Sequence, residues 1–181
     1  MSTCNLSAGR QEVCKDSVGG LQGVYFINFE SGSFTKNGSG EITDLTGTTV
    51  YYYELKGTSA YTETVNSSRE NGTTFFSQET TLNLKKLTNE MTTQLKLLAY
   101  GRPQIIVWTN SGDALLVGEE HGADLTAGTI QTGGALGDLY GYSATFTGEE
   151  KLPAAFISGS TVDDAFAGLA GADKPTIVYG S

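Results

Sequence analysis

Cysteine, proline, histidine and positive charge are all scarce in this 181-residue chain, and each shortage removes a class of function. The 2 cysteines, Cys4 and Cys14, both lie near the amino terminus. A bridge between them would staple only a short loop, so they are read as free thiols. With the single histidine, His121, they make too thin a donor set for zinc. Lys and Arg total 11 against 20 Asp and Glu, a formal charge of −9. No basic cluster exceeds Lys85-Lys86, so the phosphate neutralisation needed to grip nucleic acid is missing. No apolar run approaches the length of a membrane span. The opening MSTCNLSAGRQEVCKDS lacks the apolar middle of a secretory signal, which points to synthesis in the cytoplasm. No phosphate loop, nucleophile elbow or dinucleotide fingerprint occurs; neither an enzyme nor a cofactor is expected.

What is present suits strands and turns. Hydrophobic residues make up 38%, Gly numbers 24, and Ser and Thr are abundant. The length fits one domain over 1–181 with room for an arm or long loop. Residues 1–20 are polar and read as an amino-terminal arm. Over 23–30, Tyr25, Ile27 and Phe29 alternate with Val24, Phe26 and Asn28. Both faces are largely apolar, so this strand is expected to be covered on both sides. Asn37-Gly38 marks a turn, Ile42 and Leu45 a short extended piece, and 50–56 a strand carrying Tyr51, Tyr52 and Tyr53. Another strand over 60–68 ends at the turn Arg69-Glu70-Asn71-Gly72.

The strand that follows, over 73–87, is unusually long. Phe76, Gln78, Thr80, Leu82 and Leu84 share one face, while Phe75, Ser77, Glu79, Thr81, Asn83 and Lys85 share a mostly polar other face. Thr88 is a good helix N-cap with Glu90 in the first turn. Met91, Leu95, Leu98 and Ala99 then fall on one helical stripe facing a core. Gly101 and Pro103 end the helix. A hairpin pairs 104–109 with 114–118 across Asn110-Ser111-Gly112-Asp113. Residues 119–137 read as a long loop with extended pieces. A strand over 138–147 places Tyr140, Tyr142, Ala144 and Phe146 on one face, and Leu139, Gly141, Ser143, Thr145 and Thr147 on the other. Residues 158–181 read as a carboxy-terminal extension, with a short helix over 162–169 and an extended piece over 176–179. The fold class is mainly β: a sandwich or open barrel with one flanking helix, long loops and arms.

Three groups invite a chemical interpretation. Glu119-Glu120-His121 with Asp124 is the nearest approach to a metal or catalytic cluster, yet a solvated acidic loop explains it better. Glu149 and Glu150, adjacent on a strand, point to opposite faces and cannot converge on one bond, so they are taken as surface charge. The Tyr51-Tyr52-Tyr53 run fits a strand packing on both sides better than a carbohydrate platform.

The order of elements carries a resemblance. LKKLTNEMTTQLKLLA precedes a hairpin and a Gly-rich loop, and GDLYGYSATFTGEEKLPAAF follows, with Gly141-Tyr142 and Phe146-Thr147-Gly148-Glu149 at its centre. From about Tyr61 to Phe156 this resembles the tail tube proteins of long-tailed bacteriophages. The resemblance implies a structural role in the virion tail: subunits assembled in the host cytoplasm into rings, typically hexameric, stacked as a conduit for DNA. It implies that Ser77, Glu79, Thr81, Asn83, Ser143, Thr145 and Thr147 face the lumen, while Met91, Leu95 and Leu98 of the helix pack on the core. Partners would be further copies of the chain and other tail proteins, with double-stranded DNA passing unheld. Ring-to-ring contacts would come from 1–20, the loop after Phe29, and the tail beyond Ser158. A tail terminator, a capsid decoration protein and a soluble β-barrel carrier of small ligands are the rival expectations.

Overall fold

The computed structural model of the protein describes residues 6, 8–12, 14–29 and 34–180. Its elements, in chain order, are β1 (Leu21–Ile27), β2 (Thr35–Lys36), β3 (Ile42–Asp44), β4 (Thr49–Glu54), β5 (Ala60–Ser68), β6 (Thr73–Lys85), α1 (Asn89–Tyr100), β7 (Gln104–Thr109), β8 (Ala114–Val117), β9 (Asp124–Gln131), β10 (Gly141–Glu150), β11 (Ala155–Phe156) and β12 (Thr176–Tyr179). A 6-stranded sheet runs β11-β8-β7-β1-β4-β12, a 4-stranded sheet runs β5-β6-β10-β9, and β2 pairs with β3. The fold is mainly β with one helix and no closed barrel among the described residues.

The larger sheet is apolar on both faces, as β1 foreshadows. On one face Val24 and Phe26 of β1, with Ile105 and Val107 of β7, meet Leu82, Tyr142, Ala144 and Phe146 of the smaller sheet. On the other, Tyr25, Ile27, Ile106, Trp108 and Leu116 meet Ile42, Leu45, Ile157, Ala165, Phe166 and Leu169. The tyrosine run divides accordingly: Tyr52 packs on the second cluster, Tyr53 on the first, and Tyr51, on Tyr53's face, is partly exposed beside the helix. Two layers of buried side chains therefore sandwich one sheet.

The carboxy-terminal stretch does more than extend the fold. Residues 162–169 form turns rather than the expected short helix, with Ala167 N–H on Asp164 C=O and Leu169 N–H on Phe166 C=O. Gly168 packs its backbone against Ser158 and Gly159 so closely that a Cβ at either glycine would collide. This compact cover buries Ala165, Phe166 and Leu169, and β12 then runs parallel to β4 at the sheet edge. The amino-terminal arm shows no strand or helix among its described residues; its last residues are pinned where Ser111 Oγ donates to Val18 C=O and Asn110 Nδ2 to Gly19 C=O. Cys14 is free and exposed, while Cys4 lies outside the described residues.

The helix keeps its expected start. Thr88 is the N-cap, its Oγ1 accepting from Met91 N–H, and Gly101 N–H donates to Leu97 C=O at the far end. Only Leu95 of the stripe is buried; Met91 and Leu98 are partly covered, and Ala99 is exposed. The correction follows from where the helix lies, with its contacts at the margin of the sandwich core. Its position is fixed by Tyr142. The ring is buried, and the phenol O–H donates to Thr88 C=O at 2.9 Å, accepts from Thr88 N–H at 3.2 Å and lies 2.7 Å from Thr92 Oγ1.

Two substitutions probe this packing. Phe166→Ala is expected to lower unfolding stability by about 3–5 kcal/mol in chemical denaturation, as a large core truncation does, showing that the carboxy-terminal cover is core. Tyr142→Phe leaves the ring volume but strips the helix start of its phenol partner; a loss of about 1–2 kcal/mol is expected by the same measurement.

Candidate functional site

A broad, open surface is the outer face of the 4-stranded sheet. Strand β6 places Leu82 and Thr80 inward, and the alternate residues Ser77, Glu79, Thr81 and Asn83 outward. Strand β10 does the same with Tyr142, Ala144 and Phe146 inward, and Ser143, Thr145 and Thr147 outward. The two sets are brought together by register: Asn83 faces Ser143, Thr81 faces Thr145, and Glu79 faces Thr147. All seven expected residues thus share one surface. Its outer rows are completed by Thr62 and Thr64 of β5, and by Thr129 and Asp124 of β9. A bulge in β9 sets Thr126 Oγ1 3.0 Å from Thr147 Oγ1.

Glu79, Asp124 and Glu149 are exposed on these strands, with Lys85 at the end of β6 the nearby cation. The face is thus hydroxyl-rich and net acidic. It is also flanked by two open edges, since β5 (9 residues) and β9 (8 residues) each pair on one side only. The edges of the larger sheet are shorter: β11 has 2 residues and β12 has 4.

Strand β9 is where sequence reasoning fell short. The 119–137 stretch is expected as a long loop with extended pieces, and 124–131 forms a continuous strand along β10. Its DLTAGTIQ carries one apolar residue in the core, Leu125, and Gly128 at its centre, so neither alternation nor β-propensity announces it. The following strand begins at Gly141, not at 138; Tyr140 lies before it and is exposed. A Cβ at Gly141 would collide with the Leu84 carbonyl, so close strand packing there requires glycine.

The acidic cluster is ordered differently from the sequence grouping. Asp124 belongs to β9, whereas Glu120 and His121 converge on Glu150, with ligand atoms within 4.8 Å of one another. Glu150 is 4% exposed and is not surface charge: its Oε1 accepts from Glu120 N–H at 3.0 Å and His121 N–H at 2.8 Å, and Oε2 lies 3.0 Å from His121 Nδ1. Both carboxylate oxygens are therefore committed to the turn that launches β9. Glu149 points to solvent, as alternation requires. Glu119, just before Glu120 in the chain, pairs with Lys36 at 2.7 Å.

Clefts flank the helix. One of 690 Å³ lies between Glu90, Met91 and Gln94 of α1 and Tyr51, Tyr53 and Val178. Another of 410 Å³ lies at the helix's carboxy end, between Leu97, Arg102 and Phe29. An aromatic hollow on the opposite side gathers Tyr25, Tyr52, Trp108 and Tyr179 beside Lys174. Burial, with Tyr52, Tyr179 and Asp164 nearby, pushes the Tyr25 phenol up and keeps it neutral. Burial acts to raise the Asp164 carboxyl, but hydrogen bonds from Lys174 and Phe166 N–H outweigh it and the net shift is down.

No protein-family model matches the chain, no curated protein matches it, and no solved structure matches its fold. The buried carboxylate gives a direct test of the turn. Glu150→Ala leaves two amides without their acceptor, and urea denaturation is expected to show a loss of about 1–3 kcal/mol.

Proposed function

We propose that the protein is a structural subunit that closes into rings through the two open edges of its 4-stranded sheet, and that the rings stack into a tube of the phage tail kind. The observation that carries this is the pairing pattern. β5, β6, β10 and β9 alternate in direction, so β5 and β9 run opposite to each other. Around a rotation axis roughly along the strands, β9 of one copy therefore lies antiparallel to β5 of the next, and the ladder continues without a break. Closure satisfies edges that would otherwise invite uncontrolled aggregation. The interface is head-to-tail and closes when the rotation permits.

Closure of the sheet turns one face inward. Packing commits the apolar face to the sandwich core, so the Ser, Thr, Asn and Glu face is the one left for the lumen. Its acids offer phosphates nothing to hold, which suits DNA that must slide. Other tail proteins would cap such a tube, and a hexamer is the ring size the resemblance implies. The 690 Å³ cleft is the observation favouring a small-ligand carrier instead; it lies beside the helix rather than inside a barrel. A tail terminator or decoration protein would use the same edges and stop at one ring.

Negative-stain microscopy and sedimentation of the purified protein separate these readings. Hollow rings or tubes are expected; a monomer persisting at high concentration would overturn the proposal, and rings that never stack would favour the terminator. Thr129→Pro and Ile130→Pro remove adjacent amides of β9, one aimed at β10 and one outward. The outward one is expected to keep the fold by circular dichroism while abolishing rings. Reversal of charge in Glu79→Lys/Glu149→Lys is expected to leave rings intact but make them retain DNA at low salt.

A further inference from the structure

The hairpin between β9 and β10 ends in a turn built to display one side chain. Asp138 Oδ2 accepts from Gly134 N–H at 2.9 Å and Ala135 N–H at 2.8 Å, and Asp138 N–H donates to Ala135 C=O. Those amides hold the Asp138 carboxyl below its ordinary range, so the turn is anionic at neutral pH. Leu136, at its tip, is fully exposed. An ordered turn that holds a leucine in water leaves that side chain available to an apolar partner.

A matching hollow lies at the other end of the molecule. The 410 Å³ cleft at the carboxy end of α1 is walled by Phe29, Tyr53, Leu97, Leu98, Arg102 and Pro103. Leu97 is 57% exposed and Tyr100 80%. One cation lines the cleft, in a chain of net −9: Arg102 lies 5.6 Å from the Phe29 ring centre. At the amino end of the same helix the neighbouring cleft is lined by Glu54 and Glu90 instead. Among the lining side chains, charge favours an acidic visitor at the carboxy end, beside Arg102, over the amino end, beside Glu54 and Glu90.

Connectivity keeps tip and cleft apart within one chain. Lys86 N–H donates to Tyr140 C=O, so the tip shares an end of the sheet with the start of α1. Ala123 N–H donates to Pro103 C=O, so the cleft sits where β9 begins. The 8 residues of β9, roughly 26 Å of strand, separate them. Strand ends lie toward the rims of a closed barrel, which places the tip on one rim and the cleft on the other.

We infer that the Leu136 hairpin tip of one copy docks into the Leu97–Arg102 cleft of a second copy, stacking rings head to tail. This rests on the proposed ring assembly for its geometry, but the contact itself can be read separately. The sequence reading assigns ring stacking to the amino-terminal arm, the loop after Phe29 and the tail beyond Ser158; Phe29, just before that loop, lines the cleft.

The test is a cross-link. In a Cys4→Ser/Cys14→Ser background, chains with Leu136→Cys are mixed with chains carrying Leu97→Cys and oxidised. A disulfide-linked dimer is expected on a non-reducing gel, with at least tenfold less from either chain alone. Rings without that dimer would sink the docking and spare the ring reading; the dimer without rings would do the reverse. A charge exchange supplies the second measurement. Leu136→Lys, facing Arg102, is expected to leave single rings, and adding Arg102→Glu is expected to restore stacks. Wild-type stacking by Leu136→Lys overturns the docking. So does loss of stacks on removing residues 1–20 while Leu136→Lys stacks normally, which would give the cleft to the arm.

Discussion

The larger sheet has no polar face, and most of the architecture follows from that. Val24 and Phe26 on one side, and Tyr25 and Ile27 on the other, oblige the chain to cover β1 twice. One cover is the 4-stranded sheet with α1 at its margin. The other is the strand β3 region with the 155–169 stretch, whose Phe166 ring sits 5.0 Å from that of Tyr25. Each fully buried side chain of this size contributes on the order of 1.5–3 kcal/mol, so neither cover is optional. Since the first cover spends one face on the core, its other face is left to water. The amphipathic strands β6 and β10 are thus a consequence of a sheet that is not amphipathic at all.

Side-chain alternation made the central parts of this legible before any coordinates. Ser77, Glu79, Thr81 and Asn83 separate from Gln78, Thr80 and Leu82 with period two, and the fold keeps that division. Thr88 announced the helix start, because a hydroxyl that accepts Met91 N–H is a local interaction. What stayed hidden depends on distant partners. Strand β9 is held by β10 through backbone pairing, which leaves little trace in side-chain pattern, and the 162–169 stretch packs as turns where Gly168 and Gly159 meet backbone to backbone. Glu150 was misread for the same reason. Its burial depends on the amides of Glu120 and His121, about thirty positions away, and no adjacent residue signals them.

Those hidden features converge on β9. The Glu150 carboxylate fixes the turn before it, and the Asp138 carboxylate fixes the turn after it. Gly122 stands with positive φ against Arg102 C=O, holding the first of these turns to the end of the helix. An edge strand with mostly exposed side chains gains little from burial, so its position has to be imposed at its ends. Two charged side chains, each accepting paired backbone amides, impose it without adding apolar surface to an exposed edge.

That economy bears on how such an edge behaves. A long, greasy edge would pair with anything extended, whereas β9 offers backbone groups with Thr126, Thr129 and Gln131 around them. In the proposed ring, pairing there would be driven mainly by hydrogen bonds, which are modest individually and depend on register. A rigidly placed edge and its rigidly placed opposite, β5, reward only a partner that presents both in the same geometry. Another copy of the chain does so by construction, and repetition around an axis multiplies a weak contact into a closed one. In the proposed ring, the specificity of assembly would lie in how firmly each protomer holds its own edges, more than in the strength of any single contact between protomers.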